Sequence, residues 1–205
     1  MLQLRSILPH TLELLKAIHS LPGLKDTRLV GGTALALQYG HRLSEDLDFF
    51  GILPEDEEQM CLDLKGLGKL SIIKTSAKIR IYQLDGVKID FVDYSRYPWI
   101  DTPIIEDGVI LASPKDIAAM KINAIEGRGT KKDFIDIYAL LQFFSLKEIL
   151  QFYETKYPEH SLFRALMSLT YFEDADIQMS PVMFDLPEWE DIKKAIGNAV
   201  DGACR

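Results

Sequence analysis

A glycine pair followed by two closely spaced aspartates constrains this chain more than any other feature. Gly31 and Gly32 follow a short apolar strand and precede a helix predicted over residues 33–38. Asp46 and Asp48 accompany the next apolar segment, which has the length and composition of a second strand. Alternate side chains of a strand point to the same face of a sheet. We therefore expect both carboxylates on one face, near the backbone amides of the helix start.

Paired carboxylates beside a glycine-rich turn are suited to chemistry on a polyphosphate. Carboxylate oxygens bind Mg²⁺, and two ions about 3.5–4 Å apart can stabilise both oxygens of an in-line displacement at phosphorus. Gly31 and Gly32 let the backbone approach a triphosphate without an intervening Cβ. The amides around Thr33 are placed to cradle it. The pattern predicts nucleotidyl transfer from a nucleoside triphosphate, with two Mg²⁺ ions bound by Asp46 and Asp48.

A third metal ligand is predicted on a β-hairpin. Residues 69–74 and 78–84 are predicted strands rich in Ile, and residues 87–94 form a further predicted strand. Asp85-Gly86, between the last two strands, is a strong signal for a tight hairpin turn. Asp90 lies in the second strand of this hairpin, on the same face as Lys88. We predict Asp90 as the third carboxylate, although a solvent-facing aspartate gives the same pattern. Asp93 remains an alternative for this role.

The composition along the chain predicts two parts. Residues 1–112 alternate helical and strand patterns, which indicates an α/β (α+β) core with a mixed β-sheet and flanking helices. Residues 113–205 have mostly helical patterns, and they begin with Ser113, a favourable N-cap. We predict a loop over residues 96–108 and a longer acidic loop over residues 173–187.

The charge and hydropathy of the chain disfavour two classes of partner, nucleic acid in general and membranes. The net charge of −8 argues against general affinity for nucleic acid, which depends on neutralising phosphates. No apolar run approaches the roughly 20 residues that span a bilayer, and the first residues lack a signal-peptide pattern, so we expect a cytoplasmic protein without membrane association. A local basic cluster is still present. Its members are Lys115, Lys121, Arg128, Lys131 and Lys132.

Four sequence segments carry a resemblance to a known family. They are Gly31-Gly32-Thr33-Ala34-Leu35, His41-Arg42-x-Ser44-x-Asp46-Leu47-Asp48-Phe49-Phe50, Lys121-Ile122-x-Ala124-x-x-x-Arg128 and Lys132-Asp133-x-x-Asp136-Ile137-Tyr138. With these segments the chain resembles the nucleotidyltransferases of the AbiEii/AbiGii toxin type, which belong to the DNA-polymerase-β-like superfamily. The resemblance covers about residues 8–145. It implies a nucleotidyltransferase-type sheet followed by a helical part.

The resemblance also implies roles for individual residues. Lys121 would contact the triphosphate, and Asp133 would be the later acidic residue linked to activity. Lys132 stands where the family often has arginine, so it keeps the charge but loses the bidentate fork. The predicted catalytic residues are Asp46, Asp48, Asp90, Lys121 and Asp133, and the predicted nucleotide-binding residues are Gly31, Gly32, Thr33, Arg42, Ser44, Lys121 and Arg128.

Three functions remain open at this point. The first is an Mg²⁺-dependent nucleotidyltransferase that modifies tRNA or a protein, as the toxin of a toxin–antitoxin or phage-defence pair with a cognate antitoxin. The second is a non-catalytic nucleotide-binding or regulatory module on the same scaffold. The third, an aspartyl phosphatase, is disfavoured because Phe50 occupies the position where that class has Thr or Val.

Overall fold

A seven-stranded mixed β-sheet forms the centre of the first of two units in the computed structural model, which describes residues 1–203. The first unit comprises Met1–Pro98 and Thr102–Ala112. The second comprises Trp99–Asp101 and the described residues from Ser113 onward.

The strand order places β2 at the middle of the sheet. The strands are β1 (Thr27–Val30), β2 (Leu47–Gly51), β3 (Leu70–Thr75), β4 (Ile79–Leu84), β5 (Val87–Asp93), β6 (Ile104–Glu106) and β7 (Val109–Leu111). Their order across the sheet is β3-β4-β5-β2-β1-β7-β6. Strand β2 pairs antiparallel with β1 and parallel with β5, and β1 pairs parallel with β7. The predicted mixed sheet is confirmed.

Three helices accompany the sheet in the first unit. They are α1 (Pro9–Ser20), α2 (Gly31–Tyr39) and α3 (Glu57–Lys65). Helix α2 is apolar on all sides, and its residues 33–37 are buried, as expected for a helix inside a core. It ends at Gly40, whose φ of 67° permits the left-handed C-cap. The prediction started this helix at Thr33, whereas it begins at Gly31, so the glycine pair forms its first turn.

Two Asp-Gly turns close hairpins in this sheet. The predicted turn at Asp85-Gly86 is confirmed, with φ of 48° and 87°, the positive pair that a type I′ turn requires. Asp107 and Gly108 have φ of 52° and 78° and join β6 to β7 in the same way. The predicted loop over residues 96–108 is therefore wrong where it covers β6, because residues 104–106 pair with β7 across this second Asp-Gly turn.

Helices make up the second unit, as predicted. They are α4 (Pro114–Gly127), α5 (Lys131–Leu140), α6 (Leu146–Lys156), α7 (Leu162–Ser168), α8 (Glu173–Asp176) and α9 (Trp189–Ala203). Ser113 caps α4 by accepting the Asp116 N–H at 3.1 Å. The acidic loop predicted over residues 173–187 begins with the short helix α8 instead. Phe172 at its start lies 4.9 Å from the ring of Phe134, which fixes this turn against α5. Nowhere in residues 1–203 is a helix both long and apolar enough to span a membrane.

Candidate active site

Strand register places Asp48 and Asp90 side by side. The two residues are Cα partners in the parallel β2/β5 pair. Neighbouring strands lie about 4.8 Å apart, and register partners project to the same face of the sheet. Asp93 is instead the partner of Gly51, three residues further along β5, and its carboxylate accepts the Ser95 N–H at 3.1 Å. The register thus puts Asp90, and not Asp93, across from Asp48.

Asp46 lies just outside the strand that was expected to carry it. Strand β2 begins at Leu47, so the alternation rule does not fix the direction of the Asp46 side chain, which is exposed. The loop around it is held through Thr33. The Thr33 hydroxyl donates to the Asp46 carbonyl oxygen and lies 2.8 Å from the Ser44 Oγ. Thr33 and Ser44, both predicted to bind nucleotide, therefore tie the start of β2 to helix α2.

The glycine pair makes room for protein side chains. Gly31 has a φ of 69°, and a Cβ there would lie 2.5 Å from the Asp48 Oδ2. A Cβ on Gly32 would collide with the guanidinium of Arg42, which is 2% exposed and donates to the Leu43 carbonyl oxygen at 3.0 Å. The sequence prediction gave these glycines the task of admitting a triphosphate. In the structure their lack of a side chain admits Asp48 and Arg42.

Lys88 pairs with the carboxylate of Asp90. Its Nζ lies 2.7 Å from each Asp90 carboxylate oxygen, and the two residues share a strand face, as expected. Across the described range 1–203, no three His, Cys, Asp or Glu side chains meet in an arrangement that holds a metal. The oxygen donors of Asp48 and Asp90 suit Mg²⁺ in chemistry and share a face. An ion bound at Asp90 would meet the Lys88 ammonium on the same oxygens.

In the second unit, the motif residues of α4 and α5 converge on one buried lysine. Lys121 Nζ lies 2.8 Å from Asp133 Oδ1 and 2.6 Å from Asp136 Oδ2, and its side chain is 8% exposed. Arg128 Nε approaches Asp133 Oδ2 at 3.5 Å, and Thr130 donates to the same oxygen at 2.6 Å. Burial raises the pKa of Asp133, but the Lys121 charge and these hydrogen bonds outweigh it, and the pKa lies below its usual range.

The basic cluster does not form one continuous surface. Lys115 pairs with Asp101 at 3.0 Å. Lys131 is buried, with its Nζ 5.2 Å from the centre of the Trp189 ring. Lys132 is exposed. Lys115, Lys121 and Lys131 thus make contacts within the helical unit.

A second buried ion pair escaped the sequence prediction. Lys156 Nζ lies 2.7 Å from Asp116 Oδ1, and neither side chain is exposed. Asp116 also accepts the backbone N–H groups of Ile100 at 2.9 Å and Asp101 at 3.3 Å. The Lys156 Nζ lies 4.6 Å from the centre of the Trp99 ring. The sequence showed Asp116 as a cap residue, but nothing in it pointed to a partner 40 positions away.

Comparison with known proteins identifies the family. The model of the family described as "Nucleotidyl transferase AbiEii toxin, Type IV TA system" matches residues 13–199. The chain therefore belongs to the AbiEii family and is a nucleotidyltransferase. The resemblance inferred from the sequence is confirmed.

Relatives and solved structures extend this result. The "Uncharacterized protein aq_aa25" of Aquifex aeolicus (strain VF5) is 37% identical over 189 residues, which cover 89% of this chain and 90% of that protein. JHP933 from Helicobacter pylori has a similar fold, with a TM-score of 0.57 at 16% identity over 97% of this chain and 93% of that one. MenT4, a nucleotidyltransferase toxin from Mycobacterium tuberculosis H37Rv, gives 0.55 at 15% identity over 92% and 80%. These similarities confirm the nucleotidyltransferase fold.

Proposed function

We propose that this nucleotidyltransferase moves a nucleoside monophosphate from a nucleoside triphosphate to tRNA in an Mg²⁺-dependent reaction. The observation that carries the proposal is the register pairing of Asp48 with Asp90 beside the first turn of α2. Two carboxylates on one sheet face provide hard oxygen ligands. The N-terminal amides of a nine-residue helix provide donors for anionic oxygens. Both are requirements of chemistry on a triphosphate.

The residues of the first unit would share this work. Asp48 and Asp90, with Asp46, would hold the divalent ions, which when bound stabilise negative charge on the phosphoryl oxygens. Asp48 lies so close to Gly31 that a Cβ on Gly31 would collide with its carboxylate. Thr33 holds the backbone of the loop that carries Asp46. The backbone thus places Asp48 and Asp46 at the start of β2.

Lys121 is proposed as the triphosphate contact of the second unit. Asp133 and Asp136 hold its ammonium at 2.8 and 2.6 Å, so it is orientated by two carboxylates and has little rotational freedom. Arg128, whose side chain is 70% exposed, would add a second positive charge for the nucleotide. In this proposal Asp133 acts through Lys121, as a positioning residue.

The choice of tRNA as the acceptor is part of the proposal. A protein of net charge −8 is poorly suited to binding RNA broadly, so an RNA acceptor would be selected by local contacts. MenT4 is by its name a nucleotidyltransferase toxin, and the AbiEii family is described as the toxin of a type IV system. By extension we propose a toxin that is opposed by a cognate antitoxin and acts in the cytoplasm. A protein acceptor is the alternative outcome of the experiment below.

Label transfer tests this proposal directly. The protein is incubated with Mg²⁺ and each α-labelled nucleoside triphosphate, with total tRNA and separately with cell extract. The variant Asp46→Asn/Asp48→Asn removes the proposed metal ligands, and Glu45→Gln removes the exposed carboxylate that precedes Asp46 as the matched control. We expect label on tRNA with the wild type and with Glu45→Gln, and none with the double variant.

Other results would redirect the proposal. Label on a protein band in the extract would replace tRNA with a protein acceptor. Equal transfer by the double variant would overturn the metal site. Nucleotide binding without transfer under any condition would favour the non-catalytic module.

A further inference from the structure

Lys88 and Asp90 form an ion pair at the site proposed for a divalent ion. The Lys88 ammonium lies 2.7 Å from both oxygens of the Asp90 carboxylate, so it contacts the two oxygens that would bind the ion. The two residues are adjacent on one face of β5. Asp90 is in turn the register partner of Asp48. A cation of this chain therefore occupies the position that an added cation would take.

We propose that Lys88 is a displaceable counter-ion, which holds Asp90 while no divalent ion is bound and leaves it when one binds. This inference rests on the metal site of the proposed function. An ammonium and a divalent ion repel each other and compete for the same two oxygens. Lys88 thus weakens ion binding at Asp90 in the nucleotide-free protein.

The exposure of the two side chains makes the exchange feasible. The Lys88 side chain is 44% exposed, so its ammonium can move into water without losing hydration. The Asp90 side chain is only 21% exposed, so its carboxylate is poorly hydrated and is stabilised by an adjacent cation. Lys121 differs on both counts, since it is 8% exposed and held by two carboxylates. Of these two lysines, Lys88 is the one that can change partners.

Manganese binding measures this competition. Mn²⁺ is titrated without nucleotide into the wild type, Lys88→Met, Asp90→Asn, Lys88→Met/Asp90→Asn and Asp48→Asn, with free Mn²⁺ followed by electron paramagnetic resonance. Removing the ammonium should tighten Mn²⁺ binding about tenfold, because a unit charge a few ångströms from a divalent ion is removed. In the Asp90→Asn background the same change should have little effect. Lys65→Met removes an exposed lysine of α3 as the matched control and should leave binding unchanged.

The outcomes separate this inference from the proposed function. Unchanged or weaker Mn²⁺ binding by Lys88→Met, with binding still lost in Asp48→Asn, would overturn the role of Lys88 and leave the metal site intact. A gain that persists in the Asp90→Asn background would also overturn it, because the effect would not pass through Asp90. Absence of Mn²⁺ binding from every variant would overturn the metal site and the role of Lys88 together.

Discussion

Two ion pairs, one on the sheet and one in the helical unit, differ in their exposure to water. On the sheet, Asp90 and Lys88 form one ion pair whose members both keep contact with water. Among the helices, Lys156 and Asp116 are fully buried, and each satisfies the other. A partly exposed pair can exchange its partner for an ion or a substrate, whereas separating a buried pair leaves an uncompensated charge in a medium of low dielectric constant. The Lys88–Asp90 pair is therefore available for chemistry, whereas the Lys156–Asp116 pair maintains the architecture of the helical unit.

The largest effect should come from removing charge on the sheet. Asp48→Asn keeps the shape of the side chain that fits beside Gly31 but removes a proposed metal ligand. We expect nucleotide transfer to fall about a thousandfold, with the free energy of unfolding in metal-free buffer unchanged within about 0.5 kcal/mol. Initial rates of label transfer and urea denaturation measure the two quantities. A large fall in the free energy of unfolding together with the loss of activity would contradict this prediction, because Asp48 would then maintain the structure.

The buried pair of the helical unit should show the reverse pattern. Lys156→Met leaves Asp116 buried without its cation, so the free energy of unfolding should fall by about 3–5 kcal/mol. Adding Asp116→Asn should restore part of this loss, since the charge is then gone. Lys147→Met, at an exposed position of the same helix, is the control and should change stability little. Urea denaturation monitored by circular dichroism gives all four values, and equal effects of the two lysine variants would refute the assignment.

The free energy of unfolding as a function of pH tests the burial of His19 in the first unit. Burial lowers the pKa of His19 to about 4, and its Nδ1 accepts the Ile110 N–H at 3.3 Å. Because the unfolded chain binds the proton more readily, stability is fully present above about pH 6.5 and declines towards pH 4, by about 3 kcal/mol. His19→Asn keeps an acceptor but cannot titrate, so its stability should change less over this window. His10→Asn, at an exposed position, should keep the wild-type slope. An equal loss of stability between pH 6.5 and pH 4 in His19→Asn and His10→Asn would contradict the prediction.

The smallest stability effect is expected at Arg128. Its side chain is 70% exposed, and its ion pair with Asp133 is 3.5 Å long, so Arg128→Gln should alter the free energy of unfolding by less than about 0.5 kcal/mol. If Arg128 contacts the nucleotide as proposed, the KM for the triphosphate should rise while kcat changes little. Steady-state kinetics and urea denaturation together separate the two roles. A loss above 1 kcal/mol would place Arg128 with the architectural charges.

Local patterns predicted much of this fold. The Asp85-Gly86 hairpin and the Ser113 cap depend on residues close in sequence, and both are present. The family was also predicted from motifs, and the family match confirms it. The roles of the individual site residues stay predictions.

Long-range pairing could not be predicted in the same way. That β5 lies next to β2, with β3 and β4 further out, is fixed by the whole sheet and not by any short segment. The pairing of Asp116 with Lys156 likewise depends on how α4 and α6 pack. Asp107-Gly108 is different, because this turn is encoded by the same local Asp-Gly signal as Asp85-Gly86. Lys88 was recognised as a neighbour of Asp90 on the strand, but the distance between their charges required the structure.

The position of the short segment Trp99–Asp101 in the chain affects when it can make its contacts during synthesis. It belongs to the helical unit, although β6 and β7, which follow it in sequence, belong to the sheet. Its anchors are the Asp116 carboxylate and, against Trp99, the ammonium of Lys156. Domains generally fold in the order of synthesis. On the ribosome, β6 and β7 are therefore synthesised before Lys156, which packs against Trp99. Trp99–Asp101 can make its contacts only after the chain has been translated through α6.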